Sequence, residues 1–226
     1  MQIAGLPWPT RNILRTHDDY RDLPQEGITA AIQEICAAQI DEFARQLDPQ
    51  LPAILTAHLT AADAAFSGSE RTAIIGQDPI LLTSTLANPA YDYVALGHIH
   101  KYQDLNRDHH PPVVYSGSLE RIDFGEEQED KGFCIVSIED DATMPQGRAT
   151  AFEFVPVPAR RFATIRLAVG ADEDATEKIV AACTAADLDD CVVRVLYDLP
   201  AGYAIPIDLQ RVRQALEPAY YIASIQ

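Results

Sequence analysis

Two short apolar runs in this chain end on histidine, and that arrangement restricts the fold more than any other feature. Pro52-Ala53-Ile54-Leu55-Thr56-Ala57 leads into His58, and Tyr93-Val94-Ala95-Leu96 leads into Gly97-His98-Ile99-His100. Short apolar runs of this kind read as buried strands. Open α/β sheets place their sites at the carboxyl ends of strands, where these imidazoles fall. His98 and His100 are two apart, so a strand would set them on one face, about 6 to 7 Å apart at Cα. Gly97 lets the backbone turn closely around whatever sits there. A His-x-His pair alone fits a hydrogen-bonded structural role equally well. The third histidine, at the end of a second run, favours metal ligation by His58, His98 and His100.

The chain has 226 residues, of which 47% are hydrophobic, enough for one large or two small cores. No run approaches the roughly 18 apolar residues of a membrane span, and no basic-then-apolar leader opens the chain, so a cytoplasmic protein is expected. Cys36, Cys134, Cys183 and Cys191 are scattered without a Cys-x-x-Cys and read as core or incidental thiols. The net charge of -17 excludes nucleic-acid binding through a broad basic surface. A phosphate substrate would then depend on metal ions for its capture.

Along the chain, Gln2 to Leu6 reads as a strand, and Pro7, Pro9 and Pro24 mark a loop that holds Trp8 as a packing anchor and a solvated His17. Between Gly27 and Leu47 the positions Ile28, Ile32, Ile35, Ile40, Phe43 and Leu47 predict an amphipathic helix. A polar stretch, Ser67-Gly68-Ser69-Glu70, and short apolar runs at Ala73 to Ile75 and Ile80 to Leu82 follow the His58 strand. Val113-Val114-Tyr115 and Gly132 to Ile138 read as strands flanking an acidic segment, Asp123 to Asp130, in which the run Glu126-Glu127-Gln128-Glu129-Asp130 reads as a solvated turn. Past Val155-Pro156-Val157-Pro158 comes a small α/β unit. Its strands are Phe162 to Val169, Val192 to Tyr197 and Tyr220 to Ile225. Its helices are Glu173 to Ala186 and Asp208 to Leu216, the second capped by Asp208 with Leu209, Val212 and Leu216 as its buried stripe. Arg160-Arg161 at the boundary reads as a solvated pair.

Gly97-His98-Ile99-His100-Lys101, together with Val113-Val114-Tyr115-Ser116-Gly117-Ser118-Leu119-Glu120-Arg121-Ile122-Asp123-Phe124-Gly125-Glu126, resembles the SbcD nuclease-subunit family of the calcineurin-like metallophosphoesterases. The likeness runs from Gln2-Ile3-Ala4-Gly5-Leu6-Pro7-Trp8-Pro9 through His58 to Arg160-Arg161-Phe162 and Val192-Val193-Arg194-Val195. It implies the C-terminal part of a metallophosphoesterase α/β/β/α sandwich over residues 1–158, followed by a small α/β cap over 159–226. It also implies a two-manganese site in which His58 and His98 ligate one Mn2+ and His100 the other. The implied activity is exonucleolytic and endonucleolytic hydrolysis of DNA in repair, recombination and replication. The implied partners are DNA and an SMC-like ATPase, SbcC, with the nuclease subunit a homodimer within a heterotetramer and no membrane involved.

The family's other motifs are absent from this sequence. There is no Asp-x-His after an opening strand, no Gly-Asp and no Gly-Asn-His-Asp; Asp108-His109-His110 falls in a Pro-bounded loop and His17-Asp18 follows Arg15-Thr16. The resemblance therefore implies a chain truncated at its N-terminus and before the partner-binding tail, with no catalytic residue of its own to assign. A non-catalytic structural or partner-docking module is the competing reading, and a small-molecule phosphoesterase a third. An incomplete sheet exposes an edge and an apolar face. Aggregation, or dependence on a complementing fragment, is therefore expected in size-exclusion chromatography, and a monodisperse monomer with a sharp thermal transition would contradict it.

Overall fold

The computed structural model describes residues 1–68 and 78–226. Ser69-Glu70 and the apolar run Ala73 to Ile75 lie outside the described residues. The chain is mixed α/β and divides into two units, one of residues 1–119 and 129–157, the other of residues 120–128 and 158–226. The break at Val157 falls where composition changes, but residues 120–128 belong to the second unit, not to the first as a single cut at 158 would have it.

The first unit is built on a five-stranded sheet. Its strands are β1 (Gln2–Leu6), β2 (Ala53–His58), β5 (Tyr93–Gly97), β7 (Val113–Tyr115) and β6 (Gln103–Asp104), in the order β1-β2-β5-β7-β6. All neighbours are parallel except β6 on β7. Parallel neighbours need a crossover, which helix α2 (Gln25–Gln46) supplies between β1 and β2. Its buried stripe is Ile28, Ile32, Cys36 and Ile40. Ile35, expected in that stripe, is 42% exposed, because a strict four-residue step from Ile28 lands on Cys36. Against this stripe pack Leu55, Ala57, Val94, Leu96 and Tyr115. Tyr91 Oη donates to Ile40 O (2.8 Å), and burial, helped by the Asp41 charge, pushes its phenol up to about 12.

Short elements complete this unit: α1 (Arg11–Leu14), the paired β3 (Thr60–Ala61) and β4 (Ile80–Leu81), and α3 (Thr83–Leu86). A long antiparallel hairpin follows, β8 (Gly132–Asp140) with β9 (Arg148–Pro156). β9 is a strand that the sequence reading passed over, although Thr150, Phe152 and Phe154 alternate as a half-buried strand should. The hairpin meets the sheet through Phe152 on Tyr93 (centroids 5.8 Å) and Phe154 stacked on Tyr102 (4.2 Å).

The second unit is a parallel three-stranded sheet, β10 (Phe162–Ala168), β11 (Val192–Asp198) and β12 (Tyr221–Ile225), with helices α4 (Ala175–Ala185) and α5 (Leu209–Ala215). Its core holds Ile179, Cys183, Val193, Val195, Val212 and Leu216. Asp208 caps α5 as expected, accepting from Gln210 N and Arg211 N, but Leu209 is 44% exposed and lies outside the buried stripe. The acidic run Glu126 to Asp130 is not a wholly solvated turn, although Gln128 and Asp130 are exposed, and the segment Asp123 to Asp130 is partly structured. It contains a 3-10 turn (Phe124–Glu126), Glu126 is fully buried and accepts from Ile122 N, and Glu127 binds Thr164 through N (3.1 Å) and Oγ1 (2.6 Å). Arg160 stacks on the Tyr220 ring and pairs with Asp190, so it is only partly solvated, while Arg161 stays exposed as expected, in a surface pair with Asp187. Among the described residues no helix is long and apolar enough to cross a membrane.

One buried ion pair joins the hairpin to the sheet. Arg148 Nε donates to Asp92 Oδ1 (2.9 Å) and Oδ2 (3.1 Å), Ala53 N donates to Asp92 Oδ2 (2.8 Å), and Arg148 Nη1 donates to Pro49 O (3.0 Å). Removing one member strands a buried charge, which costs about 3–5 kcal/mol. Asp92→Ala is expected to lose that much in urea denaturation, whereas Asp18→Ala, which breaks an exposed pair with Arg21, should change stability by less than about 1 kcal/mol.

Candidate functional site

Because β1, β2, β5 and β7 run parallel, their carboxyl ends emerge together. β1 delivers Pro7-Trp8, β2 ends on His58, β5 delivers Gly97-His98, and β7 delivers Ser116-Gly117-Ser118. The register pairs His58 with Gly97, and Leu59 N donates to Gly97 O (3.4 Å). A Cβ on Gly97 would lie 3.1 Å from His58 Nδ1, so the missing side chain is what lets the imidazole lie over β5. Behind His58, the Tyr115 hydroxyl donates to Leu59 O (2.7 Å) and accepts from Ala61 N (3.0 Å), fixing the exit of β2.

The His58 and His98 rings lie 5.2 Å apart, inclined at 63°. Trp8 closes a triangle, its ring 4.5 Å from His98 and 5.6 Å, edge-on, from His58. His98 Nε2 lies 3.2 Å from Asp78 Oδ2, both side chains being about one-fifth exposed. Desolvation lowers the His58 pKa below that of an ordinary imidazole, and charge on His98 and His100 lowers it further. A neutral imidazole is the form that ligates a metal. Above Ala57 and His58, Gly5, Leu6, Pro7, Thr56 and Gly97 border an open cavity of about 430 Å³.

The expectation that His98 and His100 share a strand face does not hold. The strand ends at Gly97, and His98 takes φ +105°, which sets the following residues outside strand geometry. A non-glycine residue held at positive φ stores strain, of a kind that concentrates at functional sites. The His100 backbone is held separately: its carbonyl accepts from Ser118 N (3.1 Å) and Lys131 Nζ (3.2 Å). Gly117, at φ +78°, passes so close that a Cβ there would meet His100 O at 2.7 Å. Lys131, fully buried, also binds Glu129 (3.2 Å), which accepts from Ser67 Oγ (2.6 Å).

Two residues of the site escaped the sequence reading. Trp8 is the packed loop anchor expected, but the rings it packs on are His58 and His98, and the histidines are not without a carboxylate, since Asp78 meets His98. Trp8 was findable, because the strand-end rule that picks out His58 and His98 applies to the end of β1 as well. Asp78 gave no local signal, as its contact spans twenty positions. Among the described residues, no three histidine, cysteine, aspartate or glutamate side chains converge on a point where they could hold a metal ion. No family model matches the chain.

The Gly97–His58 contact is directly testable. Gly97→Ala is expected to displace the His58 ring and shift its Hε1 resonance in NMR spectra, while the exposed His17 resonance stays in place; an unmoved His58 signal would show that Gly97 does not set the ring's position.

Proposed function

We propose that this chain is an SbcD-like subunit of a manganese-dependent DNA nuclease, and that His58, His98 and His100 are its contribution to the metal site. The observation that carries this reading is the meeting of the His58 and His98 rings, 5.2 Å apart, at the carboxyl ends of adjacent parallel strands. The sequence stretches from Gly97 to Lys101 and from Val113 to Glu126 support it, being those that resemble the family. On this reading the first unit is the C-terminal part of a metallophosphoesterase sandwich and the second its cap.

The donor types suit a divalent ion: neutral imidazole, with the Asp78 carboxylate already at His98. They suit a pair of ions less well. Two neighbouring dications repel unless anionic ligands lie between them, so the second manganese requires carboxylates beyond the histidine set of this chain. When bound, such ions activate water and neutralise charge developing on the phosphodiester. The chain's own part is to orient the imidazoles, through Gly97 beneath His58 and Asp78 on His98, while burial favours the neutral form of His58. An acidic chain of this kind would work with partners, DNA and an SMC-like ATPase, in a dimer-of-subunits assembly. A structural or docking module is the second reading; the hydrogen bond that His98 Nε2 makes to the Asp78 carboxylate favours it, being the ordinary setting of a non-ligating histidine.

Calorimetric titration with Mn2+ separates the two. The nuclease reading expects saturable binding that weakens at least about tenfold, or about 1.4 kcal/mol, in His98→Ala. It also expects manganese-dependent cleavage of linear duplex and single-stranded DNA by the chain supplemented with the family's N-terminal half, reduced about 100-fold in His98→Ala. No manganese binding, with no cleavage by the supplemented chain, would leave the docking module.

A further inference from the structure

The chain leaves β5 at Gly97 and enters β6 at Gln103, and between them His98 to Tyr102 adopt no regular secondary structure. The place of His100 is therefore set by contacts from other segments. Ile99, just before it, is buried in the core. The His100 carbonyl accepts from Lys131 Nζ (3.2 Å) and from Ser118 N (3.1 Å). Of the chain's lysines, Lys101 is exposed and Lys178 pairs at the surface with Glu173, whereas the side chain of Lys131 is fully buried. An ammonium taken out of water is costly to keep unless acceptors replace the water it gives up. Here they include Glu129 Oε2 (3.2 Å) as well as the His100 carbonyl, and Glu129 Oε1 in turn accepts from Ser67 Oγ (2.6 Å). The Lys131 backbone is fixed too. Its carbonyl accepts from Val157 N (2.8 Å), and the next residue, Gly132, opens β8 and donates to Ser118 O (3.3 Å).

We propose that Lys131 is a positioning residue for His100: the buried run from Ser67 through Glu129 to Lys131 fixes the peptide plane after His100, and so the direction in which its imidazole leaves the backbone. The proposal rests on the reading of His100 as a metal ligand for what the positioning serves. Packing alone does not call for an ammonium, since a methionine would fill much the same space without desolvating a charge. What the ammonium adds is a charge-assisted hydrogen bond, stronger than a neutral one. A carbonyl oxygen has two lone pairs, and here one donor comes from the foot of β8 and the other from the exit of β7. The plane cannot swing without losing one of them. The His100 ring lies within electrostatic reach of His58, whose pKa its charge lowers. Residues that orient a ligand without touching the metal typically carry about 10–100-fold in metal affinity.

Position and stability separate experimentally. In the full chain without metal, NMR should show a slowly exchanging Lys131 ammonium with a scalar coupling across the hydrogen bond to the His100 carbonyl carbon. A freely exchanging ammonium would overturn the proposal with no variant needed. Lys131→Met combined with Glu129→Gln removes both charges, so neither is left stranded. The double variant is expected to shift the His100 Hε1 resonance, leave that of His17 in place, and bind Mn2+ at least about tenfold more weakly in calorimetric titration. Asp92→Ala is the control, because it breaks a buried pair at the amino ends of the strands. At a temperature where it stays folded, it should leave the His100 resonance and the Mn2+ affinity unchanged. An unmoved His100 resonance in the double variant, undiminished Mn2+ binding by it, or an equal loss in Asp92→Ala would each overturn the positioning role. If either variant fails to fold, the wild-type coupling decides alone. A wild-type chain that binds no Mn2+ would lose the metal reading, while the coupling and the His100 resonance would still decide whether Lys131 positions His100.

Discussion

The geometry of the first unit depends on a charge taken out of water. Asp92, at the start of β5, accepts from Ala53 N at the start of β2, and Arg148, at the start of β9, donates to both its carboxylate oxygens and to Pro49 O. One carboxylate thus fixes two strand origins and the foot of a hairpin. Such a pair adds little net stability over a well-packed apolar substitute, because desolvating both charges offsets much of their attraction. What it does impose is position. Any slip of β9 along the sheet leaves a buried guanidinium or carboxylate unsatisfied, so the register of Phe152 on Tyr93 and Phe154 on Tyr102 follows from it.

That anchor sits at the amino ends of the strands, which leaves the carboxyl ends free of it. Parallel pairing then does the rest: with β2 and β5 in register from Ile54–Tyr93 to His58–Gly97, a histidine ending one strand must face a glycine ending the next. The imidazole lies over the glycine because nothing projects there, and His98, one residue on, comes beside it once the chain turns through positive φ. The site is thus a consequence of strand register and of two residue choices, and not of a loop folded for the purpose.

This also explains what was legible in the sequence. Elements whose signal is local were read closely: β1 at Gln2–Leu6, α2 by its apolar steps, and the strand–helix alternation after Pro158. The His58 and His98 positions were legible because apolar runs that stop on a polar residue mark strand ends. Two features depended on partners far along the chain: β9 exists because β8 pairs with it, and Asp78 meets His98 from twenty positions away. Two others turned on local detail, since Glu126 is buried and accepts from Ile122 N, and Ile35 is exposed because the stripe passes through Cys36. The assumed strand geometry at His98-Ile99-His100 failed differently, through a backbone dihedral that residue type alone does not announce.

Electrostatics narrows how such a site could take an anionic polymer. The chain's charge of -17 repels DNA at long range, and many of its arginines are already committed: Arg45 to Glu42, Arg148 to Asp92, Arg160 to Asp190, Arg161 to Asp187 and Arg211 to Glu177. Attraction spread over such a surface cannot provide the many phosphate contacts that ordinarily dominate nucleic-acid affinity. On the nuclease reading, binding would instead have to be local and short-ranged, with the carboxyl ends of the parallel strands as the place for it. Trp8 packs on His98, and Asp78 both meets His98 Nε2 and borders the cavity beside it. An acidic chain that admitted a phosphodiester at one place and refused it elsewhere would need its few favourable groups gathered in this way.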